Sequence, residues 1–371
     1  MKILVDKSIR LNSDEIANYK FPFNEFFSLE IIENKVKYEF LIRFSSSNKN
    51  LICFGGGGIE RKGPKAKKPP VFNRHSWNEF FEESVLFYND PTLYLSDELR
   101  FGWCIGTQDV YYLEVIAKII EKLSKKAKIS PEDILFYGSS GGGFTSIQLA
   151  SLIRNSTALT NNSQFILKNF NLSGHYDDIL NTCFNGLTEK KVLEEYGYRL
   201  NVLKMFSKEK YIPKIIYCVN ASSRRDLILQ LIPFIKGLND LPYFNDNIEI
   251  IIYYDKKDIH ELLNKKKSID WILNQHSPLT KQVLLNYKDS IDLIAKQHEP
   301  LNNKDSIDLI KFVIKNKLHK KDRSFYSYDQ IQKLEKENKL LKKSLKNYKS
   351  RKIVRATDKI LKILKKVLNK T

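Results

Sequence analysis

Cysteine is scarce in this sequence. Its four residues, Cys53, Cys104, Cys183 and Cys218, are scattered through 371 positions with no CxxC pair. Neither a disulfide framework nor a structural zinc site is expected. Long hydrophobic runs are missing too. The longest uncharged apolar stretches, near Ile215–Val219 and Ile250–Tyr254, have the length of strands. A membrane span would need roughly 18 apolar residues in a row. The first residues, MKILVDKSIRLNSDE, meet acidic side chains before a signal-peptide hydrophobic region could form. The expectation is therefore a cytoplasmic protein. What is present belongs to a globular chain: 42% hydrophobic and 12% aromatic residues exclude a disordered or fibrous one. The length allows one large core or two smaller domains.

Acidic residues are outnumbered, 43 Asp+Glu against 62 Lys+Arg, for a net charge of +19. Residues 331–371 hold fifteen Lys/Arg against three Asp/Glu, so +12 of that excess sits in a tail and only +7 in residues 1–330. The basicity therefore says little about the substrate of the main domain. No nucleic-acid-binding motif accompanies it, and no nucleic acid is expected as a partner.

Strand-like and helix-like segments alternate through about the first 316 residues. Strands are predicted at 39–44, 50–54, 85–88, 133–137, 157–160, 214–219 and 248–254. Several are continuous apolar runs (LICF, ILFY, IIYCV), as suits strands covered on both faces of a parallel sheet. Helical patterns lie between them, at 111–126 and 144–153. This alternation predicts a doubly wound α/β domain.

Three stretches beginning at His260, His276 and His298 resemble one another, each carrying a Ser-Ile-Asp triplet. In the first and third, the Ser stands eight residues after the His; the second has six extra residues. Residues 256–310 thus read as a local duplication of a loop-plus-helix unit, too short and irregular for a solenoid. Residues 317–330 read as a polar linker. At 331–349, Leu334, Leu341 and Tyr348 are spaced by sevens, a short coiled-coil-like helix interrupted by Asn338. Residues 350–371 form a basic amphipathic pattern, with Ile353, Ile360 and Leu364 on one face and lysines largely elsewhere. That pattern suits the surface of an anionic membrane, or a partner helix.

The chemistry concentrates around Gly138-Ser139-Ser140-Gly141-Gly142-Gly143, which follows the apolar run ILFY and precedes a helical pattern. The segment fits G-x-S-x-G, with Ser140 as candidate nucleophile in a strand–turn–helix setting. Side chains at Gly138 and Gly142 would crowd such a turn. The N–H of Gly141 is a candidate oxyanion donor at the start of the helix. A Walker A loop would need G-K-[ST], and here Phe144 follows the glycines. A second glycine run, Gly55–Gly58, follows the predicted strand 50–54. Gly56 or Gly57 is a candidate for the second oxyanion N–H.

A serine nucleophile needs a base, and the base is expected after the last strand. His260 lies six residues past it, and His298 stands in the same relation to its own Ser-Ile-Asp triplet. Both remain candidates; His276 belongs to the unit with different spacing. His75, His175 and His319 read as structural or solvated. The orienting acid is expected after the penultimate strand, where Asp226 is the first carboxylate, six residues beyond Asn220. Asp255 and Asp258 are alternatives that flank the last strand.

GSSGGGF after ILFY, the glycine loop, PPVFNRHSW at 69–77, YNDPTLYLSDELRFGWCIG at 88–106 and HEPLNNKDSIDLIK near the end together carry a resemblance. Over roughly residues 35–316 the chain resembles an α/β-hydrolase-fold family of capsular, cell-surface polysaccharide and glycoprotein biosynthesis. It resembles the accessory-secretion glycan O-acetyltransferases more distantly. The implied fold is a mostly parallel sheet with helices on both faces, followed by the helical basic tail. The implied activity is that of an esterase or O-acyltransferase with Ser140 as nucleophile, on a surface glycan or lipid-linked precursor. His298 matches the family's H-x-P-L element, whereas His260 matches the distance from the strand. The sequence departs at the acid, where Ser223 falls in the aligned Asp position. Arg74, Trp77, Asp90 and Trp103 match family blocks without an assigned chemistry. No metal or organic cofactor is implied; acyl-CoA is a candidate donor. The tail resembles segments appended to surface-glycan glycosyltransferases, which suggests such a partner and attachment to the inner membrane face. The alternative reading is an inactive hydrolase-fold module that binds glycan or scaffolds a glycosyltransferase complex.

Overall fold

A computed structural model describes residues 7–170, 174–242 and 247–253. The duplicated histidine units, the linker and both predicted tail helices lie outside the described residues. Nine strands form one sheet: β1 (Lys7–Asn12), β2 (Phe27–Glu33), β3 (Val36–Arg43), β4 (Leu51–Phe54), β5 (Ser84–Tyr88), β6 (Ile134–Ser139), β7 (Thr157–Asn161), β8 (Lys214–Asn220) and β9 (Ile248–Tyr253). Seven α-helices are described: α1 (Tyr112–Lys126), α2 (Gly141–Leu152), α3 (His175–Cys183), α4 (Glu189–Glu195), α5 (Gly197–Leu200), α6 (Val202–Glu209) and α7 (Ile232–Asn239). All seven predicted strands are present, with ends shifted by at most a few residues.

The sheet order is β1-β2-β3-β5-β4-β6-β7-β8-β9. From β5 across to β9 every neighbouring pair is parallel, and only β2–β3 and β3–β5 are antiparallel. The β2–β3 hairpin turns at Asn34 and Lys35, both at positive φ, the conformation that matches the twist of its strands. The central strands β4, β5 and β6 are buried at every position, which explains their unbroken apolar runs.

Two cores lie against the sheet. All seven described α-helices contribute to the larger one, which includes Ile116, Phe144, Met205 and Phe234. The smaller core holds Phe54, Trp77, Phe87, Leu135 and Tyr137. Among the described residues, this second face is covered by Trp77 of the 3₁₀ segment His75–Phe80 together with Phe26, Phe72 and Phe81.

The C-terminal ends of three parallel strands are stitched together, and the candidate site stands on that seam. The N–H of Ser140 donates to the Asn161 carbonyl at the end of β7 (3.1 Å). The Asn162 N–H donates to the Cys218 carbonyl of β8 (2.9 Å), and the Asn220 N–H donates to the Asn162 side-chain oxygen (2.8 Å).

Candidate active site

Strand β6 ends at Ser139 and helix α2 begins at Gly141, so the turn between them is a single residue, Ser140. Its φ of 52° and ψ of −123° lie outside the regions a side chain normally tolerates. The surroundings hold it there. The N–H groups of Gly143 (3.1 Å), Gln164 (3.2 Å) and Phe144 (3.3 Å) all donate to the Ser140 carbonyl. The glycines follow from close approach. A Cβ at Gly138 would run into the Gly142 carbonyl, and one at Gly142 would stand 2.6 Å from the Gly56 oxygen. The elbow and the Gly55–Gly58 loop therefore touch through backbone atoms.

The Ser140 hydroxyl receives a hydrogen bond from Gln164 Nε2 at 3.3 Å. Gln164 is buried, and its Oε1 accepts from the indole N–H of Trp103 at 2.6 Å. An indole can only donate, so it fixes which end of the amide faces Ser140. The segment carrying Gln164 is clamped from the other side: the N–H groups of Phe165 and Ile166 both donate to Gln230 Oε1 (2.8 and 3.0 Å). Trp103 in turn belongs to a loop tied by Asp90. That carboxylate accepts from the backbone N–H groups of Thr92, Gly102 and Cys104, at 3.0 to 3.1 Å. Burial raises the Asp90 pKa, and these hydrogen bonds oppose the rise.

Of the residues singled out from sequence, Ser140, Gly141, Gly56 and Gly57 meet at the C-terminal edge of the sheet. Gly141 occupies the first position of α2, where a helix has no internal acceptor for its N–H. The ring of Phe101 lies where a Gly141 side chain would be. Beside the second glycine loop is a cavity of about 20 Å³, lined by Gly56, Gly57, Tyr88, Asp90, Phe101 and Trp103. It has room for about one water molecule.

Asp226 opens a π-helical segment, Asp226–Leu231, that runs into α7. It is buried, and Ser223 Oγ donates to its carboxylate at 2.6 Å. The serine aligned with the family's acid thus serves as a hydrogen-bond donor to Asp226. His260, His276, His298, Asp255 and Asp258 lie outside the described residues. His75 and His175 are occupied locally: His75 Nδ1 lies 2.7 Å from the Phe72 carbonyl and His175 Nδ1 lies 3.8 Å from Asp178. Among the described residues no group of acidic, His or Cys side chains could hold a metal.

The sequence reading missed Gln164, and it assigned no chemistry to Trp103 or Arg74. Arg74 Nη2 donates to Ser139 Oγ at 2.5 Å and its Nη1 to the Gly55 carbonyl at 3.3 Å. Nothing local marks Gln164; it belongs to no motif.

No protein-family profile and no curated protein matches the sequence. Solved structures do. A capsule O-acetyltransferase of Neisseria meningitidis serogroup A matches with a TM-score of 0.50 at 16% identity, over 66% of this chain and 95% of that one. A fluorophosphonate-binding serine hydrolase of Staphylococcus aureus matches at 0.47 and 15% identity, over 68% and 100%. A glycosylation-associated protein complex of Streptococcus agalactiae matches at 0.43 and 15% identity, over 67% and 45%. The likeness to the acetyltransferase, together with the strand order, is one of fold. This chain has the α/β-hydrolase fold.

Proposed function

We propose that this chain is a serine-nucleophile esterase or O-acyltransferase acting on a cell-surface polysaccharide, a glycoprotein glycan or a precursor of either. Ser140 carries the reading: a strained one-residue turn between a buried strand and a helix, with its hydroxyl already engaged by an amide donor. Strain of this kind persists only where the surroundings enforce it, and it concentrates at reactive sites.

In the first step Ser140 Oγ attacks the carbonyl carbon of an ester or thioester, and its proton passes to His260 or His298. The carbonyl oxygen becomes an oxyanion, received by the N–H of Gly141 and that of Gly56 or Gly57. Collapse breaks the bond to the leaving alcohol or thiol, which takes the proton back from the imidazolium. An acyl ester remains on Ser140. Water or a sugar hydroxyl, deprotonated by the same imidazole, then attacks that ester and regenerates the serine. Asp226 orients the imidazole and stabilises its cation. Acyl-CoA serves as donor in the transferase version. Because the Gln164 amide donates to Oγ, the hydroxyl proton is left free to point at a base.

The tail supports an extension of this reading. The basic amphipathic segment 350–371 would hold the domain at the inner membrane face, beside a glycosyltransferase and its lipid-linked glycans.

The test is labelling with a fluorophosphonate probe, located by peptide mass spectrometry, in wild type, Ser140→Ala, His260→Ala and His298→Ala. Labelling at Ser140 that one histidine substitution abolishes is the expected result, and it names the base. A folded wild type that takes no label would overturn the enzyme reading in favour of a non-catalytic glycan-binding or scaffolding module.

A further inference from the structure

We propose that Arg74 receives an anionic group of the substrate, a phosphate or a carboxylate, at the edge of the Ser140 site. The inference rests on the acyl-transfer reading for what the substrate is, but not for the presence of the anion site.

The guanidinium bridges the two elements that build the candidate site, donating to Ser139 Oγ beside the elbow and to the Gly55 carbonyl at the start of the glycine loop. Leu135, Tyr137 and Ser139 alternate onto one face of β6. Arg74 lies over the Tyr137 ring at 5.6 Å and the Trp77 ring at 5.5 Å.

Three arginines of this domain are paired with carboxylates: Arg10 with Glu30, Arg61 with Asp97 and Arg100 with Glu60. Arg74 has no carboxylate partner among the described residues. Its two hydrogen bonds go to neutral oxygens, and its Nε is buried without an acceptor. Burial pulls its pKa below the ordinary arginine value, with Tyr137 opposing. Its backbone is also in the left-handed region, at φ 64°. A partly buried cation without a carboxylate partner is costly. A neutral amide could serve the same two oxygens without that cost. Beyond its stacking on the two rings, a guanidinium offers a planar fork of donors that fits phosphate or carboxylate.

The chain leading to Arg74 has the same sign. The segment between the glycine loop and Arg74 exposes Lys65, Lys67 and Lys68, none of them ion-paired among the described residues, while Lys62 is paired with Glu98. The anion could belong to the acyl donor or to the glycan acceptor, and the chemistry of recognition is shared.

Three probes separate the sources: CoA for the donor, glucose 1-phosphate and glucuronate for the acceptor. Each is titrated calorimetrically into wild type, Ser140→Ala, Arg74→Lys and Arg74→Gln. At least one should bind wild type and Ser140→Ala alike, and bind Arg74→Gln about tenfold more weakly, with Arg74→Lys between. Equal binding to a folded Arg74→Gln, or no binding of any probe to wild type, would overturn the proposal. If Arg74→Gln does not fold, wild type still decides. The binding probe should protect Arg74 from phenylglyoxal, read by peptide mass spectrometry, and absence of protection counts against the site. Fluorophosphonate labelling of Ser140 tests the acyl-transfer reading separately, so either can fail without the other.

Discussion

Gln164 belongs to no motif, yet its amide is the described side chain that touches the Ser140 hydroxyl. It acts through a chain of fixed donors, Trp103 to Gln164 to Ser140, so its effect should be on rate rather than on folding alone. Gln164→Ala is expected to slow fluorophosphonate labelling of Ser140 about fivefold, the worth of one ordinary hydrogen bond of about 1 kcal/mol. An unchanged labelling rate in folded Gln164→Ala would show that the contact is incidental. The cysteines provide a second check on the nucleophile. All four are buried, and burial pushes each thiol pKa above its ordinary value. The thiolate is the reactive form, so at pH 8 the folded protein holds less of it than the unfolded chain does. A thiol reagent such as dithionitrobenzoate should find no fast-reacting cysteine in native protein and four after denaturation. One fast native thiol would contradict the burial of the four cysteines.

The elbow and the glycine loop behave as one packed unit, because Gly142 and the Gly55–Gly56 carbonyls approach without room for a methyl group. Neighbouring glycines should therefore differ sharply. Gly142→Ala should lose about 1–3 kcal/mol in urea unfolding, the usual cost of forcing bulk into a packed contact. Gly56→Ala should stay within about 0.5 kcal/mol, since a Cβ there meets nothing within 4 Å. Similar losses at both sites would contradict the packing described for this seam. One carboxylate, Asp90, ties the loop bearing Trp103 at three backbone N–H groups. Asp90→Asn turns one acceptor oxygen into a donor facing backbone N–H groups. It should cost about 1–3 kcal/mol by thermal or chemical unfolding, as an unsatisfied buried group does. A melting temperature equal to wild type would remove Asp90 from the account of how Trp103 is held.

For the molecule as a whole, the uneven charge leads to a test of its tail. Sedimentation with anionic liposomes should carry down the full chain at low salt and less of it at high salt, because each Lys or Arg near such a surface contributes about 1 kcal/mol that salt screens. Deleting residues 350–371 should abolish the binding, and undiminished binding of the shortened chain would end the membrane proposal. The strand–turn–helix around Ser140 and the central strands could be read from the chain because their causes are local. A strand buried on both faces must be apolar at every position, and a one-residue turn under strain needs glycine beside it. The edge strand β1 and its neighbour β2 escaped that reading because they alternate with charged and half-exposed positions, such as Arg10 and Glu30. The surroundings of Ser140 escaped it for a different reason. Gln164, Trp103 and Arg74 stand 24, 37 and 66 positions away along the chain and reach the elbow through strand order and loop packing. Short-range pattern carries the elbow itself. Only the folded sheet, which brings the ends of β4, β6, β7 and β8 to one edge, decides which side chains surround it.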